Sequence, residues 1–287
     1  MVIYNFVLIQ YSCFILISKP FSEVFYLLMI LLFCQSLFMS HFHTRLSAFN
    51  YNFPHVKDYI VFIDVEASGL PKKWDEPYST KGNWPYPVQV SWIIYTKDCR
   101  KVKQENYYIS DNNFGISSSA YKIHGITREF LNKNGDNRKN VLSLLANDLN
   151  HYQPLVVGHF VELDFHLVGA DSYRAGCENP LSKFPVFCTM LATTHLVQNP
   201  AKKYLKLCHL YNVLFNAAMS NHHNAIEDAK VTAMCFFELL KRGEINDEII
   251  EKQEKFLTEP LKKQGNNGCS FIFLIGFLLL ILTITLL

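Results

Sequence analysis

From Asp58 to Asp64 the chain reads DYIVFID, five consecutive apolar residues closed by an acid. A strand that alternates apolar and polar residues can leave one face to water, whereas a continuous apolar run needs cover on both faces. This chain must therefore build a layered domain with Tyr59 to Ile63 in a central strand. It must also deliver Asp64 to the strand end, where the sheet meets solvent.

The rest of the pattern agrees. Val88, Val90, Trp92 and Ile94 alternate with Gln89, Ser91 and Ile93, a second strand. A turn at Lys97-Asp98 and a third strand around Lys103 to Ile109 complete a meander. Val141, Leu145 and Leu149 recur at helical spacing, Pro154 to His159 (PLVVGH) reads as a short buried strand, and a helix should begin near Val161. Phe184 to Cys188 suits another short strand and Tyr204 to Phe215 a helix. Ala225 to Leu240 suits a longer helix with Ala225, Ala229, Ala233 and Phe236 on one side. Three strands followed by alternating helices and strands predict an α/β fold, a mixed β-sheet with helices on its faces. One soluble domain over residues 53–242 accounts for this pattern, and the charged, helix-prone stretch 243–268 reads as a linker.

The ends of the chain differ in kind. Ser270 to Leu287 is eighteen residues without a charge, about 27 Å at helical rise and so roughly one hydrocarbon core. Residues 269–287 read as a C-terminal transmembrane anchor, and Lys262 and Lys263 before it favour a catalytic domain facing the cytoplasm. Residues 1–45 are hydrophobic but carry Asn5 and Gln10; they allow a membrane span or an over-extended start ahead of Met29 or Met39, while a signal peptide lacks its basic stretch and a clear cleavage site. The eight cysteines are scattered without a CxxC pair and read as reduced thiols. A formal charge of +2 gives no vote for or against nucleic acid.

Asp64 and Glu66, two residues apart at the end of a buried strand, project to one side. Two adjacent acids repel unless something positive lies between them, and a divalent cation is the usual solution. Asp164 follows the PLVVGH strand early in the next helix, and Asp228 opens the last long helix five residues after His223. Each has a plainer explanation alone: a surface acid pair, carboxylates complementing helix N-termini, an exposed loop histidine. Their order and setting are what distinguish them.

Five stretches carry a family resemblance: FIDVEASGLP (62–71), YPVQVSW (86–92), YKIHGIT (121–127), VGHFVELDFHL (157–167) and HHNAIEDAKVTAMCFFELL (222–240). Together they resemble the histidine-bearing branch of the DEDD exonuclease superfamily, which includes polymerase proofreading subunits and oligoribonucleases. The resemblance implies a ribonuclease-H-like fold in which Asp64, Glu66, Asp164 and Asp228 hold two Mg2+ ions, with Mn2+ as a substitute. It implies His223 as general base toward water, and nucleoside 5′-monophosphates released from single-stranded or frayed 3′ ends of DNA or RNA. Hard cations prefer carboxylate oxygens, and an imidazole of ordinary pKa near 6.5 suits proton abstraction. The same resemblance brings the turn Ala67, Ser68, Gly69 and Leu70, together with His124, His159 and Phe160, against the terminal nucleotide.

Phe160 stands where such enzymes usually carry asparagine, so the substrate contacts differ there while the metal ligand Asp164 survives. Lys72 to Pro87 (KKWDEPYSTKGNWPYP) interleaves lysines with Trp74, Tyr78, Trp84 and Tyr86. That composition fits base stacking and phosphate attraction, and equally a loop packing its aromatics on the domain. The competing functional class is a nucleic-acid-binding or scaffold module of the same fold, which would show no metal-dependent turnover. Oligomeric state is open.

Overall fold

The computed structural model describes residues 57–111, 114–219 and 223–258, with side chains to residue 253. The N-terminal hydrophobic segment and the C-terminal anchor inferred above lie outside these residues. Among the described residues no helix is long and apolar enough to cross a membrane.

Five strands form one mixed sheet: β1 (Tyr59–Ala67), β2 (Pro87–Thr96), β3 (Lys101–Tyr108), β4 (Leu155–Gly158) and β5 (Val186–Cys188), in the order β3-β2-β1-β4-β5. β1 is central as its apolar run requires, antiparallel to β2 and parallel to β4. Its side chains divide between two cores. Ile60 and Phe62 face one, while Val61, Ile63 and Val65 face the other.

The helices are α1 (Ser118–His124), α2 (Arg128–Asn134), α3 (Arg138–Tyr152), α4 (Val161–Ala175), the short α5 (Thr189–Ala192), α6 (Leu207–Phe215), α7 (Ala225–Lys241) and α8 (Asp247–Thr258). On the Phe62 face, α7 packs the stripe Ala225, Ala229, Ala233 and Phe236 against the sheet, all at most 1% exposed. The alanines let the helix approach closely. Phe236 and Phe237 each meet the Phe62 ring edge-on at 5.5 Å. Full burial of such a ring stabilises by roughly 1.5–3 kcal/mol. On the opposite face Leu145 and Leu149 of α3 and Leu167 of α4 cover Ile63.

β2 carries buried polar side chains, and one expectation, the linker after Arg242, needs correction. Gln89 and Ser91 of β2 are 1% and 0% exposed, because this strand is covered on both faces and both side chains donate to Asn106 Oδ1 on β3. The stretch after Arg242, read as a linker, instead belongs in part to the packed unit. Ile245 and Ile250 are buried in the Phe62 core. The side chain of Gln253 also pairs with the edge strand, its Oε1 accepting from Cys188 N–H at 2.8 Å and its Nε2 donating to Cys188 O at 3.3 Å. A side-chain amide thus pairs with the edge strand of the sheet, which charge density alone does not reveal.

Candidate active site

Three elements meet at the C-terminal end of β1. Asp64 and Glu66 share the strand face that points toward α7, and Asp228 comes from the first turn of that helix. Asp164 comes from the first turn of α4 and is pinned to the strand, its Oδ1 accepting from Val65 N–H at 2.9 Å. Two helix starts therefore aim at one strand end, and residues 64, 66, 164 and 228 lie near enough to influence one another's ionisation.

Their electrostatics show the cost of that convergence. Asp64 and Asp164 are pushed well above the usual carboxylate range, in both cases by burial first, with neighbouring acids adding to it. For Asp164 the N–H groups of Val65 and of Asp164 itself pull the other way. Glu66 is raised to about 7 by burial and then by Asp228. Asp228 rises to about 6, again through burial first, partly offset by a backbone hydrogen bond from His223. Asp228 Oδ1 is moreover buried with no hydrogen-bond partner. Unpaired acceptors among mutually repelling carboxylates are costly unless a cation joins them. The four carboxylates offer hard oxygen donors, which suit a divalent cation.

His223 is exposed at the rim, and one of its ring nitrogens lies within 4.8 Å of carboxylate oxygens of both Glu66 and Asp228. Its backbone is left-handed at φ 63°, a conformation that few non-glycine residues adopt and that recurs at functional sites. The residue that follows explains how this bend is held. Asn224 occupies the N-cap position of α7 but makes no side-chain cap bond. Gln89 caps the helix from the sheet instead, its Oε1 accepting from Ala225 N–H at 3.2 Å and its Nε2 donating to Asn224 Oδ1 at 3.2 Å and Asn106 Oδ1 at 2.8 Å. This clamp was not assigned from sequence. The signal for it was a glutamine inside an otherwise apolar strand.

The residues expected at the substrate divide. Leu70 is 73% exposed and stands free as an apolar edge. Ser68 is committed to the protein: its N–H donates to Tyr86 O, its carbonyl accepts from Ser117 N–H, and its Oγ accepts from Tyr86 N–H. A Cβ at Gly69 would meet only Ser117 Oγ at 3.6 Å, so the protein itself does not require glycine there. His124 Nδ1 accepts from Ile126 N–H and Nε2 donates to Ala67 O, which leaves the ring bracing the strand exit. Burial holds its pKa below the ordinary value. His159 is the clearest departure. Its Nε2 donates to Leu205 O, its Nδ1 contacts Thr189 Oγ1 (each 3.0 Å), and burial lowers its pKa to about 4, so it is a neutral internal strut between β4 and the loop before α6. Phe160 begins α4 at φ 70°, beside Trp74.

The segment Lys72 to Pro87 also resolves. Tyr78 and Trp84 pack inward around His166, with Trp84 stacked on the imidazole at 4.9 Å and Tyr78 Oη bonded to its Nδ1 at 2.9 Å. The loop settles on α4 where Gly169 leaves room, since a Cβ there would lie 2.5 Å from Tyr78 Oη. Tyr86 stacks on Phe114 under the Arg174 guanidinium. Trp74, 39% exposed, is the aromatic of this set that reaches solvent.

Comparison with known proteins bears on the family and the fold. The family model for Exonuclease (RNase T) matches residues 61–236, more than half of the chain. Escherichia coli exonuclease I in complex with a dT13 oligonucleotide is similar at TM-score 0.53 and 17% identity, over 64% of this chain and 41% of that one. The same enzyme with a dA16 oligonucleotide gives 0.55 and 16%, over 68% and 43%. A 3′-exonuclease described in 3′-end-specific recognition of a histone mRNA stem-loop gives 0.52 and 14%, over 66% and 84%. The match thus spans about two fifths of exonuclease I, and at these identities the likeness concerns the fold. No curated protein matches in sequence. The chain belongs to the Exonuclease family, and its described residues adopt the ribonuclease-H-like fold of the DEDD 3′-5′ exonucleases.

Proposed function

We propose that this protein is a metal-dependent exonuclease that removes nucleotides from 3′ ends of DNA or RNA as 5′-monophosphates. The observation that carries the reading is the meeting of four carboxylates from β1, α4 and α7, all with raised pKa values, beside one exposed histidine. Asp64, Glu66, Asp164 and Asp228 would hold two Mg2+ ions, or Mn2+ in their place. Such ions supply charge stabilisation for the attacking and leaving oxygens of a phosphodiester.

The chain's own residues do the rest. The Val65 N–H fixes the Asp164 carboxylate against β1, so the acids from strand and helix keep their spacing. His223 accepts a proton from the attacking water at a ring nitrogen, and its place at the rim lets that proton pass on to solvent. Gln89 and Asn224 fix the start of α7, and with it both His223 and Asp228. Attachment to a membrane through residues 269–287 is a separate element of the proposal, supported by the uncharged C-terminal run and tested by whether alkaline carbonate releases the protein from membranes.

The test is the purified chain with Mg2+ or Mn2+ and end-labelled single- and double-stranded DNA and RNA, alongside Asp64→Ala. Metal-dependent shortening that the substitution abolishes is expected. An intact chain that binds these substrates without shortening any of them would make it a binding module.

A further inference from the structure

Trp74 and Phe160 come from two of the three segments that supply the acids, those of Glu66 and Asp164. Trp74 lies eight residues after Glu66 on the chain leaving β1, and Phe160 four residues before Asp164 at the start of α4. The Val65 to Asp164 hydrogen bond ties these segments together beside the acidic centre. The two rings touch, with centroids 5.7 Å apart and planes at 50°.

The platform is supported from behind. Trp84 and His166 each lie 6.1 Å from the Trp74 ring. Trp84 is itself 3% exposed and donates its indole N–H to Glu76 O. Asn83 clamps the backbone next to Trp74, its Oδ1 accepting from Lys73 N–H and its Nδ2 donating to Lys73 O, both at 2.9 Å. The tryptophan is therefore half-exposed on a fixed mount. Phe160 is held in a left-handed conformation that disfavours a bulky residue and that asparagine tolerates well. Outliers of this kind persist where the surroundings impose them and cluster at ligand clamps.

We propose that Trp74 and Phe160 form a stacking subsite for an unpaired nucleobase of the strand whose 3′ end enters the acidic centre. This rests on the exonuclease reading and deepens it. Stacking uses the face of any base, so the subsite selects for single-stranded character rather than for sequence. It replaces a hydrogen-bonding contact with an aromatic one at position 160.

The full chain is assayed on single-stranded DNA and RNA carrying one abasic site at each of the last four positions. Both kcat/KM with Mg2+ and equilibrium anisotropy with Ca2+ in its place are measured. One position should lose about 5- to 150-fold when its base is removed. Trp74→Ala and Phe160→Asn should each shrink that penalty, leaving penalties elsewhere unchanged. Phe160→Asn relaxes the backbone, so its unfolding midpoint should not fall, which separates lost stacking from lost folding. The subsite is refuted if no abasic position matters, or if the penalty survives both substitutions. Turnover without base discrimination would sink the subsite and leave the exonuclease reading intact. Discrimination in binding without turnover would do the reverse. Equal penalties in the DNA and RNA series are expected from stacking, and a penalty confined to one series assigns the subsite to that nucleic acid.

Discussion

Replacing Glu66 by glutamine exchanges a carboxylate for an amide of the same shape, and stability and activity should then move in opposite directions. Glu66 is 9% exposed, and burial followed by the charge of Asp228 raises its pKa from 4.5 to about 7. A carboxyl group that ionises less readily in the folded chain than in the unfolded one binds more protons when folded between those two values. Stability is therefore lost as the pH rises through that window. The loss is absent below 4.5 and complete above about 7. At 1.36 kcal/mol per pH unit it comes to about 3 kcal/mol, which in a domain of this size is roughly 6–12 °C in the unfolding midpoint.

Thermal unfolding followed by circular dichroism in chelator measures it directly. At pH 8 the Glu66→Gln protein should unfold above wild type by that margin, and at pH 4 the two midpoints should coincide. Mg2+ at pH 8 should close the gap by raising wild type, because ligands that bind only the folded state stabilise it. Nuclease turnover by the variant should be lost. A variant no more stable than wild type at pH 8, or a gap of the same size at pH 4, would refute the argument that these acids are held together at a cost that a cation offsets.

Other substitutions probe separate links. His223→Ala should lower kcat by about 10²- to 10⁴-fold in steady-state kinetics, with His222→Ala far milder; equal or reversed losses would show the base to be misassigned. Gln89→Leu strips the partner from Ala225 N–H and should cost about 1–3 kcal/mol in urea unfolding together with a fall in kcat, whereas Gln89→Glu keeps the acceptor and should retain more of both. Ile250→Ala should cost about 2–5 kcal/mol if α8 belongs to the folded unit; an unchanged urea midpoint would return that stretch to a linker.

The sequence was most readable where one physical demand governs a run of residues. The apolar stretch Tyr59 to Ile63 had to be central, and the spacing of Ala225, Ala229 and Ala233 had to face a sheet, so the strand and helix that carry Asp64, Glu66 and Asp228 were both legible. It was least readable where a polar side chain can serve either the protein or a ligand. Ser68, His124 and His159 stand at family motif positions, but their hydrogen-bonding atoms are engaged by Tyr86, Ile126, Ala67 and Leu205. Gln89 stands in a strand of alternating residues that carries no sign of its partner, because the cap it makes on Ala225 N–H is a tertiary contact. The charged stretch before the C-terminus hid Ile245, Ile249, Ile250 and Gln253, which dock on the core and the edge of β5 among many charged neighbours.

The most direct measurement of the central claim is a time course on a 5′-labelled single strand with Mg2+, resolved at single-nucleotide steps, with the released products identified by mass. The arrangement of Asp64, Glu66, Asp164, Asp228 and His223 predicts a ladder shortening from the 3′ end and nucleoside 5′-monophosphates, all absent with Asp64→Asn. Internal fragments, 3′-monophosphates, or a ladder undiminished by that substitution would contradict it.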